Sequence, residues 1–338
     1  MDAPRPALSG IAAVLALLAL SACGSSSGAA TATGSQPPTA APIPPATTPQ
    51  AAVSIVQQWA AALNHNNLTL FYLGLPPIEE GPALEMDTAK DDAYVGAVAS
   101  ISPFTLSDIT TVVPQDGTYP TSFLAETTLH TSTGATKYLL VFAKDDAGSA
   151  WKLAAYLSPA SGASFPSFAL NAQGYGKALD AATMHGYPAT VPGLAAAYCN
   201  YLGTSFGSTK QVPNAPSITF AAGPDTSTLV NMGTLSTNTI RHAGGTSDGT
   251  YAPETYVWAY KLADGSALAI ATVQTTLDQT AGPNTQLSVP AIYPFVTAGA
   301  YSTTRSASEG TFGIVEPTSG PTVSVTMQDI QFTHAQAS

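Results

Sequence analysis

Acidic side chains are concentrated in one segment of the sequence, where their oxygen atoms could bind a divalent cation or a cationic partner. Beside the single basic residue Lys90, this segment contains six acidic residues: Glu79, Glu80, Glu85, Asp87, Asp91 and Asp92. Calcium-binding loops need oxygen ligands at short, regular spacing around a glycine turn, and this array does not match an EF-hand loop. The simpler interpretation is a solvated acidic loop or helix face, so the sequence predicts no metal site.

Residues that could act as catalytic nucleophiles do not form a recognisable motif. Ser149-Ala150-Trp151-Lys152 matches the Ser-x-x-Lys pattern of penicillin-interacting enzymes, but their Ser-Asp-Asn and Lys-Thr-Gly partners are absent from the sequence. The five histidines are widely dispersed, and no two of them have the spacing of a metal site. We therefore expect no catalytic residue, no metal ligand and no cofactor, in a protein that is not an enzyme.

A cysteine near the N-terminus, Cys23, has the surroundings of a lipid-accepting residue. It ends the run Leu20-Ser21-Ala22-Cys23, which resembles the bacterial lipobox and continues from the apolar stretch Ile11–Leu20. That stretch is too short to span a bilayer, which takes roughly 20 residues, but it fits the core of a signal peptide. We expect residues 1–22 to be a lipoprotein signal peptide and Cys23 to carry a diacylglycerol membrane anchor. The alternative is an ordinary secretory signal with a chance cysteine.

The segment after the anchor, residues 23–49, has the composition of a disordered tether. Its first part is rich in Ser, Gly, Ala and Thr, and its second part is rich in proline. Without charged or aromatic residues the stretch up to the last proline cannot bury enough apolar surface to fold. The proline-rich part should be stiff and extended. We therefore expect a folded part held off the membrane on its extracytoplasmic side.

The net charge excludes one class of partner. The chain has a formal net charge of −11, whereas nucleic-acid binding needs a basic surface. The same charge opposes electrostatic docking on anionic lipids, so membrane contact must come from the lipid anchor. With Cys23 acylated, Cys199 has no second cysteine to pair with, and we expect a reduced, buried thiol on a helix.

Hydrophobic spacing predicts one helix followed by an antiparallel meander. The helix begins at Thr48-Pro49, where threonine can act as N-cap. Its apolar residues recur on one face and include Trp59 and Leu63. Apolar runs separated by turn residues predict strands at 104–113, 122–131, 136–143 and 150–157. A helix packed on one face of such a sheet is an α+β fold, and its shape is similar to NTF2-like or cystatin-like domains.

A similar pattern recurs in the second half of the sequence. A helix is predicted at Val191–Phe206, and Asp264-Gly265 joins two strands in a hairpin at 255–262 and 267–277. This recurrence is consistent with a tandem repeat of two α+β units, and equally with two ordinary hairpins that look alike. We expect an N-terminal domain at 50–165 and a more β-rich C-terminal domain at 166–338.

Several short motifs carry a resemblance to a known family. They are Glu80-Gly81-Pro82-Ala83-Leu84, Tyr119-Pro120, Trp151-Lys152-Leu153, Phe165-Pro166 and Gly174-Tyr175-Gly176. From about residue 50 to its end the sequence resembles a family of actinobacterial lipoproteins of unknown function. The resemblance implies an envelope lipoprotein of high-GC Gram-positive bacteria and supplies no catalytic residues.

Four aromatic residues could line a ligand pocket where the first helix crosses the sheet: Trp59, Phe71, Tyr72 and Trp151. The simpler interpretation is that they interdigitate as ordinary core. The expected function is a membrane-anchored, non-catalytic binding or interaction module in the cell envelope, whose partner is a small apolar ligand or an envelope protein. The alternatives are an enzyme built in an NTF2-like pocket and a structural envelope protein.

Overall fold

Two helices and a four-stranded antiparallel meander form the first half of the fold. The computed structural model describes residues 44–66, 75–95, 103–160, 162–208, 210–289, 296 and 298–338. The elements of the first half are helices α1 (Pro49–Asn66) and α2 (Gly81–Val95) and strands β1 (Thr105–Val112), β2 (Thr121–Thr131), β3 (Gly134–Lys144) and β4 (Lys152–Pro159). The helix and the four strands predicted from the sequence are confirmed to within a few residues. The sequence pattern did not decide between a loop and a helix for the acidic segment, most of which lies in helix α2.

The second half uses the same order of elements with short additions. Its elements are α3 (Val191–Ser205), β5 (Thr219–Phe220), α4 (Pro224–His242), β6 (Thr246–Lys261), β7 (Ala267–Thr280), β8 (Leu287–Val289), β9 (Gly299–Tyr301), β10 (Thr303–Glu316) and β11 (Thr322–Ala337). The predicted helix and hairpin are confirmed, but β6 begins well before residue 255. Helix α4 was not predicted, because its Thr-, Ser- and Asn-rich sequence has low intrinsic helix propensity.

Local capping fixes where the predicted helices begin. The Thr48 hydroxyl accepts a hydrogen bond from the amide of Ala51 at 3.2 Å. The Thr190 hydroxyl accepts one from the amide of Gly193 at 3.1 Å and so caps α3. Each hydroxyl satisfies one of the amides that a helix start leaves without a partner, which is why both starts could be predicted from sequence.

The last strands of the two meanders join the halves into one sheet. The strand order is β1-β2-β3-β4-β11-β10-β7-β6, with β5 added to β11 in parallel. Strands β4 and β11 pair antiparallel over a short stretch, where Pro159 lies opposite Met327 and Ser158 opposite Gln328. All described residues fall in one compact unit. The domain boundary predicted at residue 165 therefore lies between two halves that share a sheet.

Three apolar cores arrange the elements in layers. Helix α1 packs Val56 and Trp59 on the front face of β2 and β3, and α3 packs Leu194 and Tyr198 on the corresponding face of β7 and β10. A third core lies between the back faces of the two meanders, where Leu124, Leu139 and Leu157 meet Leu268 and Ile270. The result is an α+β protein with more strand than helix, in which each meander has helices on one face and the other meander on its back.

The thiol of Cys199 is part of the α3 core, as predicted. Its side chain is buried against the sheet and forms no disulfide within the described part of the chain. Burial raises the pKa of the thiol to about 12, so the group is protonated at neutral pH and is a poor nucleophile.

Candidate functional site

A cavity of about 640 Å³ lies between the helices and the sheet of the second half. We call it the C-terminal cavity. Its walls come from α3 and α4 on one side and from β7, β10 and β11 on the other, and Leu287 and Ser288 of β8 line part of its rim. Its apolar lining residues include Leu202, Phe206, Ile240, Val273, Leu277, Phe312 and Ile330.

Small side chains on β10 explain why this space is open. Side chains alternate across a strand, and the residues of β10 that face the helices near the cavity are Thr304, Ser306, Ser308 and Gly310. Further along the same face, Phe312 and Ile314 fill the helix–sheet interface. The sheet therefore has a packed end and an open end under the same pair of helices.

Gly310 marks the boundary between these two ends. A Cβ atom at this position would lie 2.8 Å from Cε2 of Phe312 and 3.3 Å from Cγ1 of Ile330. The glycine thus lets the Phe312 ring lie flat against the strand, where it forms the inner wall of the cavity. A larger residue here would push the ring into the open space.

Hydroxyl and amide side chains alternate with the apolar residues of this cavity, and several of them hydrogen-bond to one another. The hydroxyls of Thr275 and Ser308 are hydrogen-bonded to each other across β7 and β10. The Gln279 side-chain amide donates to the Ser236 hydroxyl at 3.2 Å and so connects the sheet to α4. Arg305 lies at the rim, with its Nε 3.7 Å from the Asp278 carboxylate. Such a surface suits an apolar or amphipathic molecule, with hydroxyls available to orient it.

Among the described residues, the equivalent interface of the first half has a small cavity of about 100 Å³. We call it the N-terminal cavity. It lies between α1, α2 and the β1–β4 sheet, and Trp59 forms part of its wall. The Trp59 ring is only 7% exposed and contacts the rings of Phe104 and Phe142, each at a centroid distance of 6.0 Å. These large rings occupy the volume that is open in the second half.

A polar cluster lies in the wall of the N-terminal cavity. The Tyr156 hydroxyl donates to the Asp87 carboxylate at 2.6 Å, and the Lys90 ammonium donates to the same oxygen at 3.1 Å. Lys90 also donates to the Tyr156 hydroxyl and lies 4.4 Å from the centre of its ring. These hydrogen bonds connect α2 to β4 within the first half.

Electrostatics keep this cluster in one protonation state at neutral pH. Burial by itself lowers the pKa of Lys90, but attraction to Asp87 and Asp329 outweighs this and raises the pKa above its ordinary value. Burial, followed by repulsion from the same carboxylates, raises the pKa of the Tyr156 hydroxyl. The lysine therefore stays charged and the tyrosine stays neutral, which makes the tyrosine a donor and not a base.

A family model described as a domain of unknown function, DUF8094, matches residues 43–337. The chain belongs to the DUF8094 family. The match covers both meanders and all the described helices, so the joined sheet and both cavities lie within the DUF8094 domain. Comparisons with curated proteins and with solved structures gave no match. The expected membership of a family of unknown function is confirmed at this level.

The predicted pocket residues of this DUF8094 chain do not meet around one cavity in the described structure. Trp59 lines the N-terminal cavity, whereas Trp151 packs edge-on against Phe123 at 4.9 Å and lines neither cavity. Phe71 and Tyr72 lie outside the described residues, and so does the predicted lipid-accepting Cys23. In the described part of the chain, no helix is long and apolar enough to cross a membrane.

The interpretation of the acidic segment as a solvated face is wrong for Glu79 and Asp87, whereas Glu85 is exposed. Glu79 is fully buried and accepts a hydrogen bond from the Trp59 indole at 3.2 Å. Asp87 belongs to the polar cluster, and Glu85 approaches carboxylates of the second half. Segment composition gave no sign of this, because the partners come from distant parts of the chain.

The sequence analysis also missed the C-terminal cavity. Its signal was the alternation of Thr304, Ser306, Ser308 and Gly310 on one face of a strand that continues into Phe312. A core-facing strand normally carries large apolar residues at every second position. A run of small ones predicts either very close packing or an open space, and only the helix positions decide between them.

Proposed function

We propose that this DUF8094 protein is an extracytoplasmic, membrane-anchored binding module that holds an apolar or amphipathic small molecule in its C-terminal cavity. The observation that carries the proposal is the cavity itself. Its volume of about 640 Å³ lies within the roughly 300–1,000 Å³ range of small-molecule sites. Its mainly apolar walls carry a few hydroxyls, which is the usual composition of such sites.

The predicted lipid anchor would determine where in the cell this binding module is located. Cys23 at the end of the signal sequence and the tether after it support attachment to the outer side of a membrane, and resemblance to actinobacterial lipoproteins supports an envelope role. Cys23→Ala should abolish the mass increase from acylation and release the protein from the membrane fraction. Detergent partitioning of this variant that matches the wild type would contradict the anchor.

The shared order of elements supports an origin by tandem duplication. Each half has helices followed by a four-stranded meander, and the terminal strands β4 and β11 pair antiparallel. In this view one copy kept a filled helix–sheet interface and the other became the ligand site. The N-terminal half would then serve as the scaffold that covers the back of the ligand-binding sheet.

Filling the cavity tests the proposed function directly. Leu277 lines the cavity and is only partly buried, so Leu277→Trp should occupy the space without displacing the core. We expect the wild type to bind the apolar dye anilinonaphthalene sulfonate and Leu277→Trp to lower its affinity about tenfold or more, which corresponds to about 1.4 kcal/mol.

The matched control is Leu170→Trp, at a leucine that is 51% exposed and lines neither cavity. It should bind the dye as the wild type does. Circular dichroism and unfolding curves for all three proteins establish that dye binding reports the native state. If native wild-type protein binds no apolar probe, or if both tryptophan variants bind equally well, the ligand-binding proposal is wrong and a structural envelope role becomes the better explanation.

An enzyme is the second candidate, because one observation favours it. The N-terminal cavity places the Asp87 carboxylate beside a tyrosine and a lysine, a set that could move protons. Its volume of about 100 Å³, however, equals only about three water molecules at roughly 30 Å³ each. The raised pKa of Tyr156 also disfavours its use as a base. Binding in the C-terminal cavity is therefore the function that the geometry supports best.

A further inference from the structure

Three glutamates from three separate elements meet behind the C-terminal cavity. Glu85 comes from α2, Glu254 from β6 and Glu309 from β10. Each offers one carboxylate oxygen, and these three oxygens all lie within 4.8 Å of one another. Because Ser308 and Gly310 face the C-terminal cavity, Glu309 between them points to the opposite side of the sheet. The group is therefore separate from the proposed ligand site.

Glu309 is buried in a way that leaves its charge uncompensated. Its side chain is 1% exposed, and neither carboxylate oxygen makes a hydrogen bond within the described residues. Gln274 and Glu254 lie close enough to affect its pKa, but neither makes a hydrogen bond of normal geometry. A buried oxygen of Glu254, Oε2, also has no hydrogen-bond partner in the described part of the chain. A carboxylate in this position is costly unless a proton or a cation neutralises it.

Neighbouring carboxylates further increase the free-energy cost of ionising Glu309. Burial is the main cause that raises the pKa of Glu309. The neighbouring carboxylates of Glu254 and Glu85 raise it further. Burial and repulsion from Glu254 raise the pKa of Glu85 as well. The charged groups that act on these two side chains are of the same sign, so the trio attracts positive charge from solution.

The fold holds the three carboxylates together by a close approach of α2 to β6. Gly81 at the start of α2 has a positive φ of 53°, and a Cβ atom there would lie 2.7 Å from Cε1 of Tyr256. Glycine permits this contact and lets the first turn of α2 lie against the strand that carries Glu254. One turn further, Glu85 reaches the same strand and β10. A glycine within the Glu80–Leu84 motif thus positions the acidic group.

We propose that Glu85, Glu254 and Glu309 bind a hard divalent cation, with Ca²⁺ as the preferred ion. All three ligands are carboxylates, and oxygen-only sites favour Ca²⁺, Mg²⁺ or Mn²⁺ over Zn²⁺ or copper. Ca²⁺ accepts six to eight oxygens in flexible geometry, whereas Mg²⁺ is usually held by one or two carboxylates. Glu85 is exposed and Glu254 half-buried, so water can complete the coordination. The ion would join α2 of the first half to β6 and β10 of the second.

Thermal unfolding and calorimetry of the purified full chain test this site. After treatment with EDTA, addition of CaCl2 should raise the Tm with the logarithm of its concentration, by about 5 °C at a hundredfold excess over Kd, and calorimetric titration should give one site per chain. MgCl2 should act more weakly. In Glu309→Gln both responses to CaCl2 should disappear.

A buried glutamate on the same strand provides the control. Glu316 is also fully buried, but its Oε1 accepts a hydrogen bond from the amide of Ala189 at 2.7 Å, so Glu316→Gln should keep the Ca²⁺ response. If Glu309→Gln does not fold, the less buried Glu254→Gln replaces it with the same expectation. Wild-type protein that binds no Ca²⁺ by calorimetry, together with a Glu309→Gln variant that is more stable than wild type, would overturn the proposal in favour of a shared proton.

Discussion

The two halves of this DUF8094 domain have the same order of helices and strands, but their helix–sheet interfaces are filled differently. In the first half, Trp59, Phe104 and Phe142 meet between α1 and the sheet and leave about 100 Å³. In the second half, serine, threonine and glycine occupy the facing positions of β10, and about 640 Å³ stays open. The backbone arrangement is therefore compatible with both a packed core and a ligand cavity, and side-chain volume at a few strand positions decides which one forms.

The polar groups also differ between the packed interface of the first half and the open interface of the second. In the first half, Asp87, Lys90 and Tyr156 form a compact charged cluster whose members hydrogen-bond to one another. In the second half, the cavity hydroxyls form hydrogen bonds to neutral groups. Charged clusters stabilise one arrangement of elements, whereas neutral hydroxyls leave room for a ligand to compete. The first half therefore has the features of a rigid support and the second half those of a binding site.

The largest expected difference concerns truncation of the interface. Trp59→Ala should destabilise the protein by about 3–5 kcal/mol, because it removes a buried ring from a packed core. Leu277→Ala should cost less than about 2 kcal/mol, since its side chain already faces open space. Urea unfolding at equilibrium measures both changes. Equal losses in the two variants would mean that the C-terminal interface is packed in solution and that the cavity does not exist there.

A smaller difference is expected when one hydroxyl is removed from each half. Tyr156→Phe should cost about 1.5–3 kcal/mol, the range for a hydrogen bond to a charged group, because Asp87 loses a donor. Thr275→Val should cost about 1 kcal/mol or less, since its partner Ser308 is a neutral hydroxyl beside the cavity. Unfolding free energies of the two variants give the comparison. A larger loss for Thr275→Val would show that the cavity wall is the more rigid of the two surfaces.

Added side-chain bulk should have effects of opposite sign in the two halves. Ser306→Val adds apolar groups to the open cavity and should stabilise the protein by up to about 1 kcal/mol. Ala125→Val adds the same kind of bulk to the fully buried face of β2 and should destabilise it by about 1–3 kcal/mol through overpacking. Thermal unfolding of both variants is sufficient. Destabilisation of similar size at both positions would remove the distinction between a packed and an open interface.

The elements that could be predicted are those whose signal is local. Helix α1 has a threonine cap, an N-terminal proline and apolar residues at helical spacing, and the first meander alternates apolar runs with turn residues. Helix α4 was missed because Thr, Ser and Asn favour other conformations, so it owes its stability to packing on the sheet. Helix α2 was ambiguous because its acidic residues do not form one polar face: Asp87 contacts Tyr156, whereas Glu85 lies near Glu309.

By itself the sequence determined most of the local elements and the burial of Cys199. It also predicts membrane attachment through Cys23 and the tether that follows it. It further predicts that the protein does not bind nucleic acid, because net charge is a property of composition alone. The pairing of β4 with β11, the open end of the C-terminal interface and the meeting of Glu85, Glu254 and Glu309 were decided only by the tertiary structure. These features depend on the positions of residues from distant parts of the chain, and neither hydrophobic periodicity nor spacing along the chain contains that information.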